Sequence, residues 1–86
     1  MAVDVKYGKV TLENDPGLEE DEVVVVFRAR DKQLLELLDY YHDICHRDGA
    51  EKGFLNVTKK EIIAVRRWQQ DNVYLVELPD HLNLPD

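Results

Sequence analysis

Apolar and polar residues alternate from Val3 onward, with Val3, Val5 and Tyr7 on one face and Asp4 and Lys6 on the other. This is the period-two pattern of a half-buried strand, and after Gly8 the phase shifts to Val10 and Leu12, so Gly8 marks a bulge or tight turn. In NDPGL, Pro16 and Gly17 suit the two central positions of a type II turn. EVVVVFRAR resumes the alternation, with Val23, Val25, Phe27 and Ala29 on one side and Val24, Val26, Arg28 and Arg30 on the other. Its four successive valines predict a first half covered on both sides, as in a central strand or one covered by a partner subunit.

The period then lengthens. Leu34, Leu37, Leu38, Tyr41, Ile44 and Cys45 share one helical stripe, with Glu36, Asp39, Asp43 and Arg47 outside it. Asp31 is the expected N-cap and Gly49 the stop. After a loop at AEKGFLN, Thr58 and Glu61 form a capping box and Val57 with Ile62 a hydrophobic staple. These predict a second helix from Thr58 to about Asp71, terminated by Asn72. VYLVEL reads as a last short strand. The stretch 78–86, LPDHLNLPD, is expected to be an extended arm, because Pro79 and Pro85 cannot donate to a ladder.

The expected fold is one α+β domain over residues 1–86: a three- or four-stranded, mainly antiparallel sheet packed against two helices. A chain this short buries only roughly 60 to 65% of its unfolded surface, so its core is thin and self-association is favoured. A homo-oligomer is expected, with Trp68, Val24, Val26, Leu82 and Leu84 as interface residues.

Charge narrows the function classes. A net charge of -7 argues against general binding to nucleic-acid backbones, which relies on clustered Lys and Arg. The charge is also polarised: Glu19, Glu20, Asp21 and Glu22 form an acidic run, whereas Lys59, Lys60, Arg66 and Arg67 cluster in the second helix. The acidic run needs no role beyond keeping a loop soluble. The longest apolar run, Val23 to Phe27, is far short of the ~20 residues that cross a bilayer, and the N-terminus lacks a basic-then-apolar leader. The expectation is a cytoplasmic protein without membrane contact. Cys45 has no second cysteine to pair with and reads as a small buried hydrophobe.

Two patterns carry candidate chemistry. In YYHDICH, the spacing of Asp39, His42 and His46 permits three ligands on one helical flank, and His81 is a further donor. Asp43, however, stands where a metalloprotease has glutamate, and no further ligand is fixed by spacing, so neither metal nor cofactor is expected. A metal-dependent hydrolase on those residues remains the enzymatic alternative. The second pattern is the ladder of Lys59, Lys60, Arg66 and Arg67 around Ile63, which offers a basic face for phosphate or an acidic partner. Pairing with acidic neighbours or plain solvation competes with that role. Arg28 and Arg30, on one strand face, extend it.

VFRARDKQLLELLDYY and RRWQQDN, followed by Leu-Pro-Asp, resemble segments of a loose set of small uncharacterised proteins encoded by bacteriophages and prophages. In that set an Arg-Ala-x-Asp element ends a strand and enters a helix, and a later helix ends in Trp-Gln before a Pro-Asp tail. The resemblance spans about Val26 to Asp80 and implies a setting, not a residue role: a phage accessory protein, in a group rich in inhibitors of host defence. The reading is therefore a non-enzymatic protein that binds an anionic ligand such as a nucleotide signal, or an acidic host-protein surface, through Lys59, Lys60, Arg66, Arg67, Arg28 and Arg30. A small assembly protein of a virion or complex is the structural alternative.

Overall fold

The computed structural model describes residues 2–78, which divide into two compact units, one ending at Phe27 and the other beginning at Arg28. The arm positions Leu82 and Leu84, together with His81, lie outside the described residues.

In the first unit, β1 (Val3–Asp4) and β2 (Gly8–Lys9) pair antiparallel with Val3 opposite Lys9 and Asp4 opposite Gly8. The Val10 amide extends this pairing to the Ala2 carbonyl at 2.9 Å. On the other side of β1, Val3 N donates to Glu22 O at 3.1 Å and Val24 N to Val3 O at 3.0 Å, a single parallel bridge between Val3 and Val23. Among the described residues the sheet therefore has two strands, not three or four. The reason is local. A continued parallel ladder would give the Val26 amide to the Val5 carbonyl, but the chain turns at Val5, and the Asp4 carboxylate takes that amide instead, at 2.7 Å.

Asp4 organises this unit. Its side chain is 1% exposed, and it also accepts from the amides of Lys6 and Tyr7 at 2.7 and 2.9 Å and from the Lys6 ammonium at 3.4 Å. Burial alone would raise its carboxyl pKa. The Val26, Tyr7 and Lys6 amides, helped by the Lys6 charge, outweigh burial and hold it below the ordinary value. Further on, Gly17 takes φ 96°, the positive value expected of a type II turn. The Gly17 and Leu18 amides donate to the Asp15 carboxylate, at 2.8 and 2.9 Å. These bonds lower the Asp15 pKa.

The valine run keeps its alternation but is covered on one side only. Val24 and Val26 are half-buried, whereas Val23, Val25 and Phe27 are 64%, 62% and 50% exposed.

The second unit is a helix pair, α1 (Leu34–Arg47) and α2 (Lys52–Asp71), followed by a 3-10 turn at Val73–Leu75. The Asp31 carboxylate accepts from Gln33 N at 2.8 Å, as an N-terminal cap does, although regular helix begins only at Leu34. At the other end Gly49, at φ 81°, donates to His46 O while Ala50 donates to Cys45 O, a Schellman closure that needs a left-handed residue at position 49.

The start of α2 differs from the capping-box reading. Helix begins at Lys52, so Thr58 is interior, 3% exposed, and donates back to Leu55 O at 2.8 Å. Leu55, Thr58, Ile62, Val65 and Gln69 are the less exposed positions of α2, a three-four spacing that makes a seam. On α1 the corresponding positions are Leu34, Leu35, Leu38, His42, Ile44 and Cys45, so the buried arc takes in Leu35 and His42 and leaves Leu37 and Tyr41 43% and 47% exposed. The helices meet through Tyr41 and Phe54, whose rings pack edge to face at 6.3 Å, and through a hydrogen bond between His42 Nδ1 and Thr58 Oγ1. The same hydroxyl donates to Leu55 O, so Thr58 ties the His42 ring to the backbone of α2.

VYLVEL does not form the last strand. Leu75 N bonds Asn72 O and Val76 N bonds Val73 O, closing a local turn before Glu77 bridges to Asp31. Among the described residues only Ala2, Leu34 and Ile62 are fully buried apolar side chains, a thin core as the chain length requires.

Candidate functional site

The most constrained charged segment is the strap 28–32, which leads into α1. It is held on two sides. Glu77 N donates to Arg30 O at 3.0 Å and Lys32 N to Glu77 O at 2.8 Å, while the Gln69 amide of α2 reaches two strap carbonyls, Ala29 O at 2.9 Å and Asp31 O at 3.1 Å. These bonds fix the strap against α2 one residue after Trp68. Arg28, Ala29, Arg30 and Trp68 then line a shallow depression of about 310 Å³. Trp68 is 37% exposed, and its carbonyl accepts from Asn72 Nδ2 at 2.8 Å, tying off the end of α2 at the residue expected to stop it.

Within this wall Arg30 is incompletely satisfied. Its Nε is buried and has no hydrogen-bond partner among the described residues. A buried guanidinium N–H without an acceptor is costly, and a planar fork of donors matches a carboxylate or phosphate. An anion seated in the depression would meet a guanidinium donor beside an indole, which favours planar or aromatic-bearing ligands.

The other expected ligand residues are not gathered there. Lys59, Lys60, Arg66 and Arg67 are exposed along α2, and Arg66 lines a separate depression of about 380 Å³ with Leu35, Gln69, Gln70, Val73 and Val76. Gln69, at a seam position of α2, lines the second depression and bonds the strap that helps form the first. Trp68, expected as an interface residue, lines the first depression with Arg28, Ala29 and Arg30. Neither its place beside the strap nor the role of Gln69 was visible in the one-dimensional pattern; the signal was an amide side chain at a seam position, where an apolar residue is the norm.

The histidine pair forms no ion site among the described residues. No three His, Cys, Asp or Glu side chains gather there around a common point, Asp39, His42 and His46 included. His42 Nδ1 is engaged by Thr58, and His46 is exposed. Cys45 is half-buried beside Tyr41, whose phenol is pushed above its ordinary value first by the thiol and then by burial and the Glu61 carboxylate. No helix of the described residues is long and apolar enough to cross a membrane. In comparisons with protein-family models, curated proteins and solved structures, the chain has no match.

Proposed function

We propose that this is a non-enzymatic binding protein that captures an anionic group, the phosphate of a nucleotide-like ligand or a carboxylate of an acidic protein surface, in the depression formed by Arg28, Arg30 and Trp68. The unmatched, buried Nε of Arg30 carries the reading, because an incoming oxyanion supplies an acceptor that no described residue does. Lys59, Lys60, Arg66 and Arg67, exposed along α2 outside the depression, add the positive charge that draws an anion toward this helix in an otherwise acidic protein. The resemblance to phage and prophage proteins supplies the setting, a host cytoplasm in which a signal nucleotide or a defence protein is occupied rather than chemically changed.

The test is a titration with inorganic phosphate, adenosine monophosphate and an acidic peptide, followed by the Trp68 indole resonance and fluorescence. The expected result is saturable perturbation of Trp68 by at least one of them, lost in Arg30→Ala and weakened in Arg30→Lys, which keeps charge but loses the fork. Absence of saturation with all three would sink the proposal.

A further inference from the structure

The two helices carry strips of exposed side chains with the same spacing and opposite charge. On α2, Lys59, Ile63 and Arg66 stand at i, i+4 and i+7, and on α1 Glu36, Tyr40 and Asp43 do the same. That spacing keeps each set on one strip of helix surface, with its two charges ~10.5 Å apart along the axis and a large side chain between them. Ile63 is 45% exposed and Tyr40 64%, and the four charged residues are exposed as well. None of those four side chains has an ion pair or hydrogen bond among the described residues. Arg47, next on the α1 strip, is held by Asp48 at 2.9 Å, so the strip stays acidic. Within one chain the strips look in different directions. At 100° per residue, Lys59, Ile63 and Arg66 lie ~40 to 100° from the buried Ile62, on one flank of the seam, whereas Glu36, Tyr40 and Asp43 lie ~120 to 180° from the buried Leu34, on the side of α1 turned away from α2.

We infer that the basic strip of α2 packs on the acidic strip of α1 from a second copy, setting Ile63 against Tyr40 and the cations of Lys59 and Arg66 against the carboxylates of Glu36 and Asp43. Charge complementarity at equal spacing selects this occupant, because the chain carries on its own surface the acidic strip that its basic strip fits. A nucleic-acid strand is a poorer match. It offers Ile63 no apolar partner, and the aromatic side chains on which bases stack, Phe54 and Trp68, fall on the other flank of α2. Two different surfaces meet, so the contact is head-to-tail, and each copy offers one strip of each sign; association closes as a ring or extends. The contact also covers apolar surface that a thin core leaves outside. Because Trp68 lies on the opposite flank, the contact does not rest on anion capture at Arg30.

Sedimentation of the full chain across a concentration series tests the contact. The wild type is expected to associate, and less tightly as salt rises, because exposed ion pairs are screened. Lys59→Glu with Arg66→Glu makes both strips acidic, and Glu36→Lys with Asp43→Lys makes both basic. Each double variant is expected to raise the dissociation constant for self-association at least about tenfold, with helical circular dichroism unchanged. Mixed in equal amounts, the two variants are expected to associate with each other as the wild type does with itself, since every acidic strip then meets a basic one. Substitutions that merely weakened the fold could not be repaired by mixing. In a sample of labelled and unlabelled wild-type copies, an isotope-filtered NOE between the Tyr40 ring of one copy and the Ile63 methyl groups of another is expected. A wild type monomeric at every concentration, double variants that associate as the wild type does, or a mixture that stays monomeric would overturn the inference. So would a monomeric wild type that binds an acidic helical peptide through Lys59 and Arg66, which would give the strip to another protein.

Discussion

The two units solve the same problem of a small core by opposite means. In the second, α1 and α2 set Leu34, Leu38, Ile62 and Val65 along a repeating seam, so order is spread over two long elements. In the first, two strands of two residues each depend on one buried carboxylate that holds the amides of Lys6, Tyr7 and Val26. A distributed apolar seam loses stability in increments, whereas a hub fails at once. The difference teaches that a buried charge can stand in for a hydrophobic cluster when backbone donors surround it.

Substitution of the hub is the sharpest way to break this comparison. Asp4→Ala is expected to abolish amide protection throughout 3–26 while helical circular dichroism persists; if the helices melt with it, the units form one cooperative body. Next in size is Ile62→Ala, which removes a side chain that is 8% exposed and is expected to cost about 2–5 kcal/mol in denaturant unfolding of the helix signal. Thr58→Val is expected to cost about 1–3 kcal/mol by the same measurement, because it leaves His42 Nδ1 without its hydrogen-bond partner, and Thr58→Ser to recover most of that loss. Acid makes a finer separation. The Asp4 and Asp15 carboxyls titrate below their ordinary value of 3.8 in the folded chain, so the unfolded chain binds more protons in that range. Their contribution is complete above 3.8 and is lost as pH falls through the folded values; amide exchange in 3–26 should accelerate there, measured by NMR between pH 5 and pH 2. The smallest effect is expected of Asp15→Ala, an exposed turn whose loss should be confined to the Gly17 and Leu18 amides.

How far the sequence could be read depends on where polar residues sit. Asp31 and Gly49 bracket α1 as their chemistry demands, and Asn72 ends α2, because caps are local and need no knowledge of what packs where. The α2 start was obscured because Thr58 and Gln69 occupy seam positions that a hydrophobic pattern leaves blank, and because Thr-x-x-Glu reads as a cap wherever it falls. Thr58 is instead satisfied by the Leu55 carbonyl and by a histidine sixteen residues earlier, a long-range contact that no local pattern encodes. The valine alternation was legible, but pairing partners were not, and the Asp4 carboxylate ended the third strand by taking its next bond. For the site, the arginines were visible by charge. Their grouping with Trp68 was not, since it depends on where Gln69 grips the strap.

That grip falls on carbonyl oxygens, the part of a residue that substitution leaves unchanged. The two bonds from Gln69 ask nothing of the side chains at positions 29 and 31, only of their carbonyls. Anchorage and recognition are thus written in separate alphabets, one in the backbone and one in the side chains. Descendants of this chain can rewrite the wall of the depression and change what it accepts without having to relearn how to fold.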